Sequence, residues 1–187
     1  AVRSRGLGDV YKRQKLIDAK SIYEGREENN KNIEKIFSIS SKKQIGTVVF
    51  DNPKNIKQSL TKSLKTTWSN TSPNERSEIL NKIANNIEEE PYELIYFLIN
   101  EAGKTIQNAI DEIREAVDFL RYYSNQILKI SDASDLEGPT GEENLITYTS
   151  KGRFLCISPW NFPVAILIGQ ISAALACGNK VLSLIHI

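Results

Sequence analysis

Residues 151–181 read KGRFLCISPWNFPVAILIGQISAALACGNKV, an apolar stretch interrupted by Pro159 and Pro163. Prolines this close together bar one continuous helix or strand, because proline lacks the N–H that both ladders use. Arg153 to Ser158 therefore reads as a short strand and Pro159 to Pro163 as a tight connection. The small-residue run behind it reads as a helix ending at Gly178, and Lys180 to Leu182 as the start of another strand. Strand, connection, helix and strand in succession place this part of the chain in the α/β class.

The remainder is mostly helical by pattern. Ile45 to Phe50 has strand propensity, and Asp51-Asn52-Pro53 supplies a capping side chain ahead of a first-turn proline. Ile56, Leu60, Leu64 and Trp68 follow at four-residue spacing and are expected to share one helical face. Ser72-Pro73-Asn74-Glu75 is a capping box; Ile79, Leu80, Ile83, Ala84 and Ile87 mark the buried stripe of the helix behind it. Pro91 opens a third helix, carrying Leu94, Ile95 and Leu98, which Gly103 stops in the left-handed conformation. The longest pattern carries Ile106, Ala109, Ile110, Ile113, Ala116, Val117 and Leu120 at steps of three and four. Asp132 to Glu142 is a turn-rich break, and Asn144 to Thr149 is strand-like.

Residues 15–45 are polar, with Glu27 to Lys31 wholly charged or amide, and are expected to form a linker or loosely docked arm. The domain proper is expected over 46–182. Arg3, Arg5 and Arg13 crowd the start of a chain that elsewhere prefers Lys, Asn and Ile, and methionine is absent throughout. That shift marks 1–14 as a foreign leader and 183–187 as a foreign tail, and both are set aside in reasoning about the fold.

Charge narrows the function. With 24 Lys+Arg against 23 Asp+Glu, the chain has no electrostatic footprint for nucleic acid or an anionic membrane. No apolar run approaches the ~20 residues of a membrane span, and Ala1 to Lys20 lacks the apolar core of a signal peptide. Cys156 and Cys177 are too few for a disulfide framework, so a cytoplasmic protein is expected. Together with one histidine, His186, they make no metal site.

Several motifs have bland explanations. Gly103-Lys104-Thr105 invites a phosphate-loop reading, but the glycine required five residues earlier is Leu98. A glycine helix stop explains the same residues. Cys156 lies in an apolar strand without a histidine partner, and both it and Cys177 are expected to be buried structural cysteines. Trp160 and Phe162 are expected to pack, fixing Asn161 between them. A fixed side-chain amide at the carboxyl end of a strand can donate to a developing oxyanion, although an asparagine satisfying a turn explains the residue as well.

Residues Ile157-Ser158-Pro159-Trp160-Asn161-Phe162-Pro163, followed by Ala173-Ala174-Leu175-Ala176-Cys177-Gly178-Asn179, resemble the aldehyde dehydrogenase superfamily. Glu101-Ala102-Gly103-Lys104-Thr105 and Glu115-Ala116-Val117-Asp118-Phe119-Leu120-Arg121-Tyr122-Tyr123 fit the same family in order and spacing. Gly138-Pro139-Thr140-Gly141-Glu142 makes the segment similar to the pyrroline-5-carboxylate dehydrogenase module of bifunctional proline utilisation flavoproteins. The resemblance covers roughly residues 20 to 182 and implies an N-terminal helical segment plus the first strand–helix units of a Rossmann-type nucleotide-binding domain, truncated.

In that family a cysteine thiolate attacks the aldehyde, hydride passes to a nicotinamide, and a glutamate base activates water. The resemblance implies that Asn161 is the oxyanion-hole amide and that Ile157, Ser158, Pro159 and Trp160 line the cofactor cleft. Phe162 would lie beside the substrate's aliphatic chain and Glu115 at the substrate tunnel. NAD is the implied cofactor, NADP its alternative, and FAD enters only if the parent carries a proline dehydrogenase domain. A small aldehyde, glutamate semialdehyde, is the implied substrate, and the parent is expected to be a homo-oligomer. The family's nucleophile and base lie beyond Ile187, so the chain alone is expected to be inactive. The rivals are another aldehyde dehydrogenase, such as one for succinate semialdehyde, and a non-catalytic helical interaction remnant.

Overall fold

The computed structural model describes residues 16–23, 25–62, 67–131 and 134–184. Two compact units share the chain: Ala1–Leu64 with Glu90–Asp111, and Lys65–Glu89 with Glu112–Ile187.

The first unit is organised by strand β5 (Gln44–Val49), the strand expected from the Ile45–Phe50 pattern. β1 (Ile17–Ala19) pairs with it in parallel and β4 (Ile33–Phe37) antiparallel, giving the order β1-β5-β4. Ile45 and Val49 turn inward and are buried. β2 (Ile22–Tyr23) and β3 (Arg26–Glu27) form a separate hairpin. The stretch expected to be a linker or loosely docked arm thus carries four strands, two of them flanking β5. Short polar strands held by backbone pairing leave no apolar periodicity to read.

Helix α1 (Pro53–Lys62) begins as its sequence predicts, with Asn52 Oδ1 accepting the Asn55 N–H at 2.9 Å. The expected four-residue apolar face is shorter than the pattern. Leu64 lies outside the described residues, and Trp68 belongs to a 3-10 turn, Trp68–Asn70, in the second unit. Helix α3 (Tyr92–Asn100) ends as expected, with Gly103 at φ +69°. Its last carbonyl, Asn100 O, accepts the Ile39 N–H at 2.8 Å, fastening the β4–β5 turn to the helix end.

In the second unit the Ser72 box caps α2 (Pro73–Glu89). Glu75 N–H donates to Ser72 Oγ at 3.2 Å, and Ser72 N–H donates to Glu75 Oε2 at 3.0 Å. Of the expected stripe, Leu80 and Ala84 are buried, whereas Ile79 and Ile83 are exposed. The buried line instead runs through Arg76, Ser77, Leu80 and Ala84. Helix α4 (Ile106–Ser131), which belongs to this unit from Glu112 on, continues well past the pattern that announced it. Its Val117, Leu120 and Ile127 join Leu80, Ala84 and Ala176 in one core cluster. β6 (Ser134–Leu136) and β7 (Asn144–Ile146) pair antiparallel, so the expected turn-rich break contains a strand. β8 (Arg153–Ile157), α5 (Ala165–Ala176) and β9 (Lys180–Leu184) follow as expected. β8 and β9 lie parallel, Arg153 opposite Lys180 and Ile157 opposite Leu184, with α5 as the crossover. Ser183 and Leu184 continue β9.

Candidate functional site

The site is the connection between β8 and α5. Pro159 cannot extend β8 by donating a hydrogen bond, so pairing ends with Ser158 N–H on Leu184 O at 3.1 Å. Residues 160–164 form the turn. Within it Trp160 is 72% exposed, Phe162 is 40% exposed and Asn161 is exposed. The expectation that both aromatics pack around Asn161 is therefore not met. The turn is held by its backbone rather than by burial of its side chains, and it presents a polar amide beside an accessible indole.

Helix α5 begins without a local cap, because Val164 at its N-cap offers no side-chain acceptor. The acceptor comes from α4. Glu112, 2% exposed, places Oε1 at 2.8 Å from Val164 N and 3.2 Å from Ala165 N, so both N–H groups donate to it. A carboxylate there completes the helix end and meets its positive dipole terminus. It also occupies the place where a dinucleotide fold often seats a pyrophosphate. At the other end of the turn, Gln170 Nε2 on α5 donates to Ile157 O at 3.1 Å. Neither residue was singled out from the sequence. Each had a signal, since Glu112 sits among the buried positions Ala109, Ile113 and Ala116, and Gln170 inside an otherwise apolar helix.

Glu115 is exposed on α4, three residues after Glu112 and four before Phe119. Phe119 lies against Gly169, whose added Cβ would stand 3.1 Å from the ring. Glu112 and Phe119 reach α5, and the exposed Glu115 lies between them in sequence on α4. Ser158 is 3% exposed, and among the described residues neither its Oγ nor Gln170 Oε1, also buried, finds a hydrogen-bond partner. Buried polar atoms rarely stay unsatisfied, and these flank the carboxyl end of a parallel strand, where α/β folds take up ligands. A hydroxyl and an acceptor oxygen together fit the hydroxyl groups of a polyhydroxylated cofactor.

The cysteines differ from each other. Cys156 is buried as expected, and burial pushes its thiol up. Cys177 is exposed, which corrects the expectation of a second buried thiol. It sits at the C-cap of α5, a helix about 18 Å long, at the end opposite the Asn161 turn. The carbonyls at that end accept from Trp68 Nε1 (to Leu175 O, 2.9 Å) and Arg76 Nε (to Ala176 O, 2.8 Å). Cys177 thus stands at the far end of α5 from Asn161, and Cys156 is shut away by burial.

The parallel strand–helix–strand unit β8–α5–β9 places the chain in the α/β class. Within that class, the chain belongs to the aldehyde dehydrogenase family, whose family model matches residues 26–183. It is 49% identical over 116 residues to bifunctional protein PutA of Salmonella typhimurium, covering 62% of this chain and 8% of the relative. Over 116 residues it is 43% identical to 1-pyrroline-5-carboxylate dehydrogenase of Geobacillus thermodenitrificans, covering 62% of this chain and 22% of that one. The solved structure of 1-pyrroline-5-carboxylate dehydrogenase from Thermus with bound NAD superposes with TM-score 0.83 at 28% identity, covering 94% of this chain and 35% of that chain. The chain therefore has an aldehyde dehydrogenase-like α/β fold and spans a minor part of the length of these relatives.

Proposed function

We propose that this chain furnishes the oxyanion-binding turn and one wall of the cofactor cleft of an NAD(P)-dependent aldehyde dehydrogenase. Its substrate is glutamate semialdehyde, the open form of pyrroline-5-carboxylate, oxidised to glutamate in proline catabolism. The observation that carries the reading is the exposed Asn161 in a turn held at both ends, at the carboxyl end of a parallel strand. The likeness to pyrroline-5-carboxylate dehydrogenases supports the choice of substrate.

On this reading, attack on the aldehyde carbonyl drives negative charge onto its oxygen, and Asn161 donates its side-chain N–H to that oxygen. A donor fixed before the reaction needs no reorganisation as charge develops. NAD, when bound, accepts the hydride. Ile157, Pro159 and Trp160 line its cleft, and the buried Ser158 hydroxyl supplies it a hydrogen-bonding partner. Phe162 lies along the aliphatic chain of the substrate, and Glu115 borders the substrate tunnel. The working enzyme is a cytoplasmic homo-oligomer taking NAD, or alternatively NADP, and FAD accompanies it only where a proline dehydrogenase domain does. The nucleophile is neither Cys156 nor Cys177.

The test is NADH formation by the enzyme expressed from the complete gene, with pyrroline-5-carboxylate and succinate semialdehyde compared. Asn161→Ala is expected to lower kcat by about 10²–10³ with little change in the KM for NAD. No NADH from either aldehyde would remove the dehydrogenase reading, and faster turnover of succinate semialdehyde would reassign the substrate. The 187-residue chain alone is expected to produce none.

A further inference from the structure

We propose that Glu112 and Gln170 are positioning residues that clamp the Asn161 turn at its two ends. The purpose of the clamp rests on the dehydrogenase reading above, whereas its geometry does not. Ordering the backbone of a turn costs conformational entropy, so a turn that presents one side chain must be held by something. Burial does not hold it, because Trp160, Asn161 and Phe162 are all exposed. Pro159 and Pro163 each fix one torsion.

Its two ends are hydrogen-bonded. Upstream, Gln170 Nε2 reaches Ile157 O at 3.1 Å, and Ser158 N–H reaches Leu184 O at 3.1 Å. Downstream, Glu112 Oε1 receives the Val164 and Ala165 N–H groups. Gln170 belongs to α5, so the helix that follows the turn reaches back to the strand that precedes it. Glu112 then ties the first residues of that helix to α4. A carboxylate 2% exposed is costly to bury unless it accepts strong hydrogen bonds, and here those bonds fall on the two residues after Pro163. The polar residues interrupting two apolar helix faces thus grip the two ends of one nine-residue segment, Ile157 to Ala165, with Asn161 inside it.

The sequence supplies its own reporters for a test in the 15N-labelled 187-residue chain. It has two tryptophans: Trp160 next to Asn161, and Trp68, whose indole N–H is bonded to Leu175 O and serves as the folding control. Glu112→Ala and Gln170→Leu are each expected to move the Trp160 indole and the Asn161 side-chain amide resonances to random-coil positions while the Trp68 indole stays in place. Exchange of the Val164 and Ala165 amides is expected to rise at least about tenfold in Glu112→Ala. Glu112→Gln, which keeps an acceptor oxygen, is expected to restore all of these. Reporters that do not move, that move together with Trp68, or that Glu112→Gln fails to rescue would each overturn the clamp. No turnover is measured, so the clamp can fail while the enzyme is active, and the enzyme can prove inactive while the clamp stands.

Discussion

Arg76 shows how much one side chain can fix. It is 7% exposed, with Nε on Ala176 O at 2.8 Å and Nη1 on Thr71 O at 2.5 Å, and burial lowers its pKa. One guanidinium thereby caps the C-terminus of α5 and ties down the residue after the 3-10 turn, a geometry that uses its fork. Gly178 follows at φ +74°, a left-handed conformation that favours glycine, and a Cβ there would also stand 3.0 Å from Nη1. Arg76→Met is expected to cost about 2–4 kcal/mol, read as a fall in the urea midpoint at unchanged slope, because it leaves two carbonyls unpaired and removes a cation from a helix C-terminus. Lysine recovers less than half, having no second donor in the fork. The cysteines give a pH prediction. Burial raises the Cys156 thiol, so its contribution to stability is complete below the ordinary thiol value of about 8.5. Above that value the unfolded chain releases a proton that the folded chain keeps, and stability declines with rising pH. A thiol reagent at pH about 8 should therefore modify one cysteine at once, the exposed Cys177, and Cys156 only as the chain unfolds.

At the scale of elements, what could be read from the sequence was whatever is local. The Ser72–Glu75 box closes within one turn, and the structure forms both of its bonds. Ser72→Ala is expected to cost about 1 kcal/mol, measured by the shift in thermal midpoint. The carboxyl of Glu75, held below its usual range by the Ser72 backbone N–H and then by its hydroxyl, makes that contribution fade as pH falls through the folded value. The helices announced themselves by apolar periodicity, and the Asn161 turn by its two prolines. The partners that hold the turn did not. Glu112 lies 52 residues from Val164 and Gln170 13 residues from Ile157, and no pattern in a window reports such pairs. β1 was hidden for the same reason: its partner is β5, and its three residues carry little apolar signal. One glycine did record that pairing, although its meaning needed the structure. A Cβ on Gly46 would stand 2.5 Å from Ile17 O, so Gly46→Ala is expected to cost about 1–3 kcal/mol and to release β1 from β5. Faster amide exchange over residues 17–19, with the α2 and α4 core unchanged, is the measurement.

At the scale of the whole chain, the sequence set Ile56, Leu60 and Leu64 on one apolar helical face. The described residues include a more exposed one. Parallel sheets are ordinarily covered on both faces, and β8 and β9 pair only with each other among the described residues. α5 packs on this pair, and Cys156 on one face of β8 is buried. Leu155, on the other face with Ile157, is 57% exposed and Ile157 40%, against 37% for Leu60. Adjacent apolar side chains at that exposure form a patch that water leaves poorly solvated. The purified 187-residue chain is therefore expected to bind a hydrophobic dye and to sediment faster as its concentration rises. Burying one leucine is worth about 1.5–3 kcal/mol, so Leu155→Lys should weaken the association by about tenfold or more and lower dye binding with it. Leu155 lies outside the Asn161 turn, so the Trp160 reporter should not respond. A chain that sediments as a monomer at every concentration would show that the β8 face is already satisfied, and the need for cover would then have to be sought elsewhere on the molecule.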